Sequence, residues 1–372
     1  MKIKKWLAIP TVLLMSLAAS AYAYLQHPKF GALPDAADLT QSPNYRDGQF
    51  QNRQPNPESV VDEASQKGWT DLLFSADDGR TPPAPIPARS IDLRALDVDE
   101  DVIVWLGHSS WYLQLSGKRI LIDPVLSANA SPVPYTNQAF EGTSVVSPEG
   151  LPGIDVLLIS HDHWDHLDYP TIRALKGRIN KVIVGLGVGE HFRDWGFAES
   201  VIHEADWETA VEVDDDLSIH VLPARHYSGR WFERNQSLWA SFALVTPDHK
   251  VFYSGDSGYG DHFKTIGEAF GGFDVALLDS GQYDEQWRHV HMMPEDAAQA
   301  ADDLQTRTLI PAHVGKFSIA FHSWDEPFIR LQQASAGRNW ELATPRIGQR
   351  VDFENIGLAS SLWWQELQAA GR

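Results

Sequence analysis

The stretch Asp155-Val-Leu-Leu-Ile-Ser-His-Asp-His-Trp-Asp-His166 decides how this sequence folds. Its first half is a short apolar segment, which predicts a buried β-strand. Its second half carries three histidines and two aspartates, and neutral imidazole and carboxylate are suitable ligands for zinc, manganese or iron. A short turn can present His161 and His163 in one direction. Asp165 and His166 can then face another direction, so the stretch predicts a strand that ends at two adjacent metal sites.

Three further apolar segments are each followed at once by a residue of a ligand type. They are 218–225 before His226, 250–255 before Asp256, and 308–312 before His313. A single histidine after a strand is more often a hydrogen-bonded structural residue. Residues just past strand ends, however, converge where a sheet opens. Four strand ends with the same layout therefore predict one shared site.

The part of the chain after residue 100 has the pattern of a layered α/β domain. Short apolar segments bounded by Gly, Pro, Asp and Ser predict strands at 102–105, 120–122, 156–159, 182–184, 219–222, 251–253, 275–278 and 308–310. Helices are predicted at 170–175, 190–195, 294–304 and 324–333, two of them with proline in the first turn. The segment 185–189 lacks the spacing of a dinucleotide-binding loop and is interpreted as a strand-to-helix turn.

Composition excludes several classes of protein. The 372 residues include 50 acidic and 30 basic side chains, a net charge of −20. This charge argues against sequence-independent binding to nucleic acid and against broad electrostatic docking on anionic lipid. The chain has no cysteine, so disulfides, thiolate zinc sites and cysteine nucleophiles are excluded. Any metal ion must be held by His, Asp or Glu.

The N-terminus has the pattern of an export signal. Lys2, Lys4 and Lys5 precede an apolar stretch, and Ala21-Tyr-Ala23 provides a small-x-small cleavage pattern. Residues 1–23 are therefore a signal peptide or a retained membrane anchor, since 6–25 is close to the ~20 residues that span a bilayer. Both alternatives predict export, with the protein either periplasmic or anchored in the inner membrane and facing the periplasm. The second alternative includes membrane association through the N-terminus.

Residues 24–98 differ in composition from the rest of the chain. Proline recurs throughout and breaks helices. We expect an extended N-terminal arm wrapped around the main domain, with one short helix at 58–67; disorder is the alternative. The catalytic domain is expected over residues 99–372.

The ligand pattern resembles the signature of the metallo-β-lactamase superfamily. Within it, the similarity is closest to the N-acyl-phosphatidylethanolamine phospholipase D-like branch, through segments 105–110, 121–127, 223–230, 254–259 and 291–295. Segment 42–50 is similar to the lead-in of bacterial members of that branch. The resemblance implies a four-layer αββα sandwich with a two-metal site at one edge. It assigns His161, His163 and His226 to one ion, Asp165, His166 and His313 to the other, and Asp256 to a bridge between them. Zinc is the first expectation from the ligand types, with manganese and iron as alternatives.

Several other residues are candidates for supporting roles. Asp123 follows a predicted strand and can orient a ligating imidazole, or else serve as a turn residue, and His108 in Gly-His-Ser-Ser has the same two alternatives. His291 precedes a predicted helix, and we expect it to contact substrate or to donate a proton to the leaving group rather than to act structurally. Asp165 is expected to orient the attacking water as well as to bind metal.

These features predict a metal-dependent hydrolase that uses a water activated by two divalent ions. Phosphodiesters, including phospholipids that resemble N-acyl-phosphatidylethanolamine, are the leading substrates. The alternatives are a lactone, amide or ester hydrolase with the same site, or a non-catalytic metal-binding protein. The expected partner is a small-molecule or lipid substrate, not nucleic acid. The sequence does not indicate the oligomeric state.

Overall fold

Two seven-stranded sheets form the centre of the computed structural model, which describes residues 3–56, 66–68, 71, 79–230 and 233–370. The strands of the first sheet are β3 (Val102–Gly107), β4 (Ser110–Leu115), β5 (Lys118–Ile122), β6 (Ile154–Ile159), β7 (Ile179–Gly185), β8 (Ile202–Ala205) and β16 (Arg350–Asp352). Their order is β16-β3-β4-β5-β6-β7-β8. The sheet is antiparallel from β16 to β5 and parallel from β5 to β8.

The second sheet repeats this arrangement of antiparallel and then parallel strands. Its order is β9-β10-β11-β12-β13-β14-β15, with parallel pairing from β12 onward. The strands are β9 (Thr209–Glu212), β10 (Ser218–Leu222), β11 (Ser241–Val245), β12 (Lys250–Tyr253), β13 (Phe273–Asp279), β14 (Thr306–Ala312) and β15 (Glu341–Leu342). A separate hairpin in the N-terminal arm consists of β1 (Tyr45–Arg46) and β2 (Gln49–Phe50).

The described part of the chain contains eight α-helices. They are α1 (Ile3–Leu25), α2 (Ala36–Leu39), α3 (Tyr169–Leu175), α4 (Gly189–Asp194), α5 (His262–Phe270), α6 (Pro294–Asp303), α7 (Glu326–Ala334) and α8 (Trp363–Ala370). Several of these helices begin with residues that favour a helix N-terminus. In α3, Pro170 occupies the first turn and the Asp168 side chain accepts a hydrogen bond from the Thr171 N–H.

Three large clusters of buried apolar side chains define four layers. The largest lies between the two sheets and joins, for example, Trp111 of β4 to Phe242 of β11. A second cluster joins the outer face of the first sheet to α3 and α4. A third joins the outer face of the second sheet to α5, α6 and α7. Since apolar surface is buried on both faces of each sheet, the architecture is the predicted αββα sandwich.

The predicted elements agree closely with the observed ones. All eight predicted strands lie within observed strands, and the four predicted helices match α3, α4, α6 and α7 to within two residues. The segment 185–189 is the expected turn between β7 and α4. Strand β4 was not predicted because buried polar residues interrupt its apolar pattern. Its Gln114 is fully buried and donates to the carbonyl oxygen of Glu100 at 3.0 Å.

Two predictions concern the N-terminal region. Of the helix predicted at 58–67, residues 58–65 lie outside the described residues. The apolar N-terminal stretch is helical, as α1, and its large apolar side chains from Leu13 to Tyr22 are exposed. Among the residues that the structure describes, no helix is long and apolar enough to cross a membrane.

Candidate metal centre

The predicted ligands come together at one edge of the two sheets, beyond the carboxyl ends of the strands. The segment 161–166 follows β6, and His226, Asp256 and His313 lie beyond β10, β12 and β14. Because parallel strands point their carboxyl ends to the same edge, residues distant in sequence meet there. Three groups of clustered donor atoms lie there, and all seven predicted ligands belong to the two that are described first. The third group joins Asp279 and His291 to Asp256 and His313.

The first group contains three imidazoles and one carboxylate. His163 Nδ1 lies 2.8 Å from His161 Nε2 and 3.2 Å from His226 Nε2. Asp256 Oδ2 lies 3.7 Å from the Nε2 atoms of His161 and of His226. His161, His226 and Asp256 are buried.

The second group lies on the other side of Asp256. Asp165 Oδ2 is 3.1 Å from His313 Nε2 and 3.6 Å from His166 Nε2. Asp256 faces this group too, with Oδ1 3.1 Å from His166 Nε2 and Oδ2 3.4 Å from His313 Nε2. Asp256 is thus the carboxylate that both groups share.

The donor atoms fit divalent metal ions. A tetrahedral ion with bonds of about 2.1 Å separates its ligand atoms by about 3.4 Å, and the distances in both groups scatter around that value. His166 Nε2 and Asp256 Oδ1 are buried, face each other and have no hydrogen-bond partner. Burial lowers the pKa of His166, but the carboxylates of Asp256 and Asp165 raise it well above its usual value. The pair therefore requires a positive charge, which either a proton on Nε2 or a metal cation between the two atoms can supply.

Carboxylates and carbonyls fix the orientation of the imidazoles. Asp123 Oδ2 lies 2.8 Å from His166 Nδ1, so that His166 Nε2 faces the second group. Asp123 also accepts hydrogen bonds from the Ser160 N–H at 2.8 Å and the Tyr253 hydroxyl at 2.6 Å. The carbonyl oxygen of Val290 is 2.9 Å from His226 Nδ1. Such contacts select the tautomer whose other nitrogen binds metal.

The pKa values of the proposed histidine ligands are shifted in opposite directions in the two groups. Burial, with the neighbouring His166 and His163, holds the pKa of His161 well below its usual range. His161 is therefore neutral, which is the form that binds metal. Burial would also lower the pKa of His313, but the carboxylates of Asp256 and Asp279 raise it to about 10. In the second group a metal ion would replace a proton as the positive charge that these carboxylates require.

His108 contacts one of the proposed metal ligands directly. Its Nε2 is 3.0 Å from Asp165 Oδ2, and it belongs to the second group of clustered donors. Burial and the nearby His313 lower the pKa of His108 to about 3, so the ring is neutral. A neutral ring at this distance donates its Nε2 proton to Asp165 and orients that carboxylate. His108, Asp123 and His313 all have positive φ angles, an uncommon conformation for residues other than glycine.

His291 lies beside both groups and is paired with a residue that the sequence analysis missed. Its Nδ1 is 2.9 Å from Oδ2 of Asp279, and its ring centroid is 4.9 Å from those of His226 and His313. Asp279 is fully buried and also lies 3.3 Å from His313 Nδ1. It is the last residue of β13. The rule that found the other candidates, a ligand-type residue at a strand end, applies to Asp279 as well.

A buried arginine fixes the backbone of the segment 161–166 through hydrogen bonds to carbonyl oxygens. The guanidinium of Arg230 donates to the carbonyl oxygens of Asp162 and Leu167 at 3.1 and 2.7 Å and lies 3.8 Å from the centroid of the Trp164 ring.

Comparison with known proteins identifies the family. Residues 118–314, just over half of the chain, match the beta-lactamase superfamily domain. An uncharacterized protein of Mycobacterium tuberculosis is 40% identical over 326 residues, covering 86% of this chain and 87% of that protein. The chain belongs to the metallo-β-lactamase superfamily, as its sequence and its αββα fold indicate. Within that class it is a metal-dependent hydrolase.

Two further relatives extend this comparison. The mitochondrial N-acyl-phosphatidylethanolamine-hydrolyzing phospholipase D of Saccharomyces cerevisiae is 33% identical over 266 residues, which cover 67% of this chain and 55% of the yeast protein. The structure of Igni18, a metallo hydrolase from Ignicoccus hospitalis, superposes with a TM-score of 0.50 at 22% identity. It covers 68% of this chain and 97% of that one. This structural similarity supports the fold.

Proposed function

We propose that the protein is a two-metal hydrolase of phosphodiesters. The observation that carries the proposal is Asp256, whose two carboxylate oxygens face two separate groups of donors at 3.1 to 3.7 Å. A carboxylate in this position would hold two ions at once. The proposal therefore gives His161, His163 and His226 one ion and assigns the other to a set of three residues, Asp165, His166 and His313.

The donor types suit zinc, with manganese and iron as alternatives. When bound, two such ions lower the pKa of a shared water and stabilise negative charge that develops on a phosphoryl oxygen. The protein's own groups then have defined tasks. Asp165, oriented by His108, accepts a hydrogen bond from the attacking water and directs it at phosphorus. Asp123 and the Val290 carbonyl keep the ligating nitrogens aimed at the site.

His291 completes the proposed mechanism as the proton donor. Its ring lies beside both groups without belonging to the seven proposed ligands, and Asp279 holds its Nδ1. A histidine held in this way can protonate the oxygen of the departing alcohol. Asp165 would then assist the attack of water, and His291 would assist the departure of the alcohol.

The substrate class is proposed from the relatives. The yeast protein and a Caenorhabditis elegans protein, which is 28% identical over 225 residues, are both named as phospholipases D that hydrolyse N-acyl-phosphatidylethanolamine. A phospholipid of that kind contains the phosphodiester that the proposed site would cleave. Lactones, amides and carboxylic esters are the competing substrates.

A substrate panel on purified, metal-loaded protein tests this proposal. We expect faster hydrolysis of bis(4-nitrophenyl) phosphate than of the β-lactam nitrocefin or of an acyl-homoserine lactone, and complete loss of activity on chelation. The Asp256→Ala variant is the control for a contaminating hydrolase. Preference for the lactone or the β-lactam would contradict the phosphodiester assignment, and activity that survives full removal of metal would contradict the two-metal mechanism.

We also propose that the N-terminal segment directs export, so that the protein is periplasmic or anchored facing the periplasm. The basic residues at 2, 4 and 5 and the apolar stretch that follows them support this proposal. The exposed apolar side chains of α1, from Leu13 to Tyr22, are an unusual surface for a protein in water. Removal of this helix or its association with lipid would account for that surface.

A further inference from the structure

A residue of the N-terminal arm holds the peptide groups of a proposed metal ligand. The Asn52 Oδ1 accepts a hydrogen bond from the His226 N–H at 3.1 Å, and the Asn52 Nδ2 donates to the His226 carbonyl oxygen at 2.8 Å. The Trp239 indole N–H also donates to Asn52 Oδ1, at 3.0 Å. These three contacts define which side-chain atom is oxygen and which is nitrogen. Asn52 is therefore fitted to this position by both its acceptor and its donor.

His226 needs such support because no strand holds its backbone. It lies beyond the end of β10, in a loop where its peptide groups belong to no sheet ladder. Its side chain is held through Nδ1 by the Val290 carbonyl oxygen. Asn52 supplies the second restraint, because it fixes the backbone from which that side chain extends. With both restraints, Nε2 can remain 3.2 Å from His163 Nδ1.

The local sequence explains how Asn52 reaches this position. Asp47 and Gly48 both have positive φ angles, of 54° and 78°, and form the two-residue turn between β1 and β2. Asp-Gly is a preferred sequence for such a turn. Phe50, at the end of the hairpin, is fully buried in the core between the sheets, and its N–H donates to the Asn235 carbonyl oxygen at 2.8 Å. Asn52 follows two residues after this anchor.

The next residues of the arm are also attached to the domain. Arg225, which precedes His226, donates to the carbonyl oxygen of Pro55 and to Asn56 Oδ1, at 3.0 and 3.1 Å. Gln54 donates to Asp261 at 2.7 Å. Asn52 therefore lies between two fixed points, the buried Phe50 and these later contacts.

We propose that Asn52 is a positioning residue that organises the metal centre through His226. The inference rests on the proposed function, since it requires that His226 binds an ion. It makes the N-terminal arm part of the metal site, although the arm lies far from the ligands in sequence. Residues that orient metal ligands typically change metal affinity about 10- to 100-fold when they are lost.

Metal titration of the full-length protein tests this inference. Asn52→Leu keeps the size of the side chain and removes its three hydrogen bonds. We expect one of the two ions to bind about 10- to 100-fold more weakly in competition with a chelator. With Co²⁺ as the probe, the visible absorption bands of that ion should also change. Asn52→Asp keeps the acceptor for His226 and Trp239 and should recover part of the lost affinity.

Asn44 offers a matched control in the same arm. Its Nδ2 donates to Asp206 Oδ1 at 2.7 Å, away from the metal ligands. Asn44→Leu should therefore lower the melting temperature of the metal-free protein, but leave both metal affinities and the Co²⁺ spectrum unchanged. If Asn52→Leu does not fold, Asn52→Asp is compared with Asn44→Ala, which removes the contact with Asp206 without adding a charge, and only Asn52→Asp should bind an ion more weakly than wild type.

Two results would overturn the inference. One is unchanged affinity for both ions in the Asn52 variants. The other is an equal loss of affinity in the Asn44 and Asn52 variants, which would indicate a general effect of loosening the arm. Failure of the proposed function would look different. If the two-metal site is absent, the wild-type protein itself binds no ions, and if only the substrate class is wrong, the wild type binds both ions but prefers another substrate.

Discussion

Replacement of His291 by glutamine tests the assignment of the leaving-group proton donor. Glutamine retains an amide that can hydrogen-bond to Asp279, so the packing around the 2.9 Å contact is preserved. It cannot deliver a proton at neutral pH. The variant therefore separates proton donation from the structural part of the interaction.

The expected size of the effect depends on the leaving group. A general acid contributes roughly 10²- to 10⁴-fold to a rate, and a 100-fold loss corresponds to about 2.7 kcal/mol of transition-state free energy. An alkoxide needs the proton, so a dialkyl phosphodiester such as glycerophosphoethanolamine should lose at least about 100-fold. A 4-nitrophenolate departs without a proton, so bis(4-nitrophenyl) phosphate should lose less than about tenfold.

The assay compares kcat/KM for both substrates in wild type and His291→Gln, together with the metal content of each protein. Both proteins should contain the same amount of metal, because His291 is not among the seven proposed ligands. An equal loss on the two substrates would refute proton donation. Loss of an ion would make His291 a ligand, and full activity on both substrates would make it structural.

Two other perturbations test the site and the N-terminus. Asp256→Ala should remove more than one ion's worth of binding, measured by elemental analysis, because its two oxygens face both donor groups; loss of a single ion would contradict the bridge. A periplasmic reporter fused after residue 30 should be active, and replacement of Lys2, Lys4 and Lys5 should disturb its orientation. Cytoplasmic retention of the fused protein would contradict export.

The strands and the proposed ligands could be predicted because their signals are local. An apolar segment such as 156–159 identifies a buried strand without reference to the rest of the chain. The histidines and aspartates that follow it stand out by residue type alone. The meeting of His226, Asp256 and His313 then follows from one rule, that parallel strands open at a common edge.

The supporting contacts were harder to predict because they depend on tertiary structure. Asp279 fits the strand-end rule, but its contacts with His291 and His313 join elements that are distant in sequence. The distance of His108 from Asp165 depends on the pairing of β3 with β4 and of β4 with β5, and on a positive φ angle that the sequence does not signal. Asn52 acts on the backbone of His226, and a backbone contact has no pattern of residue types that would reveal it.

The limits of the metal site therefore differ from the limits of the matched domain. Residues 118–314 include all seven proposed ligands, yet His108 and Asn52 lie before residue 118. So do β3 and β4, and β4 is the strand that pairs with β5 inside the first sheet. Without them β5 would become an edge strand, Asp165 would lose its contact with His108, and His226 would lose its backbone restraint. The proposed ligands would define where the ions bind, but the positions of those ligands depend on contacts from a segment of chain that begins at the β1–β2 hairpin.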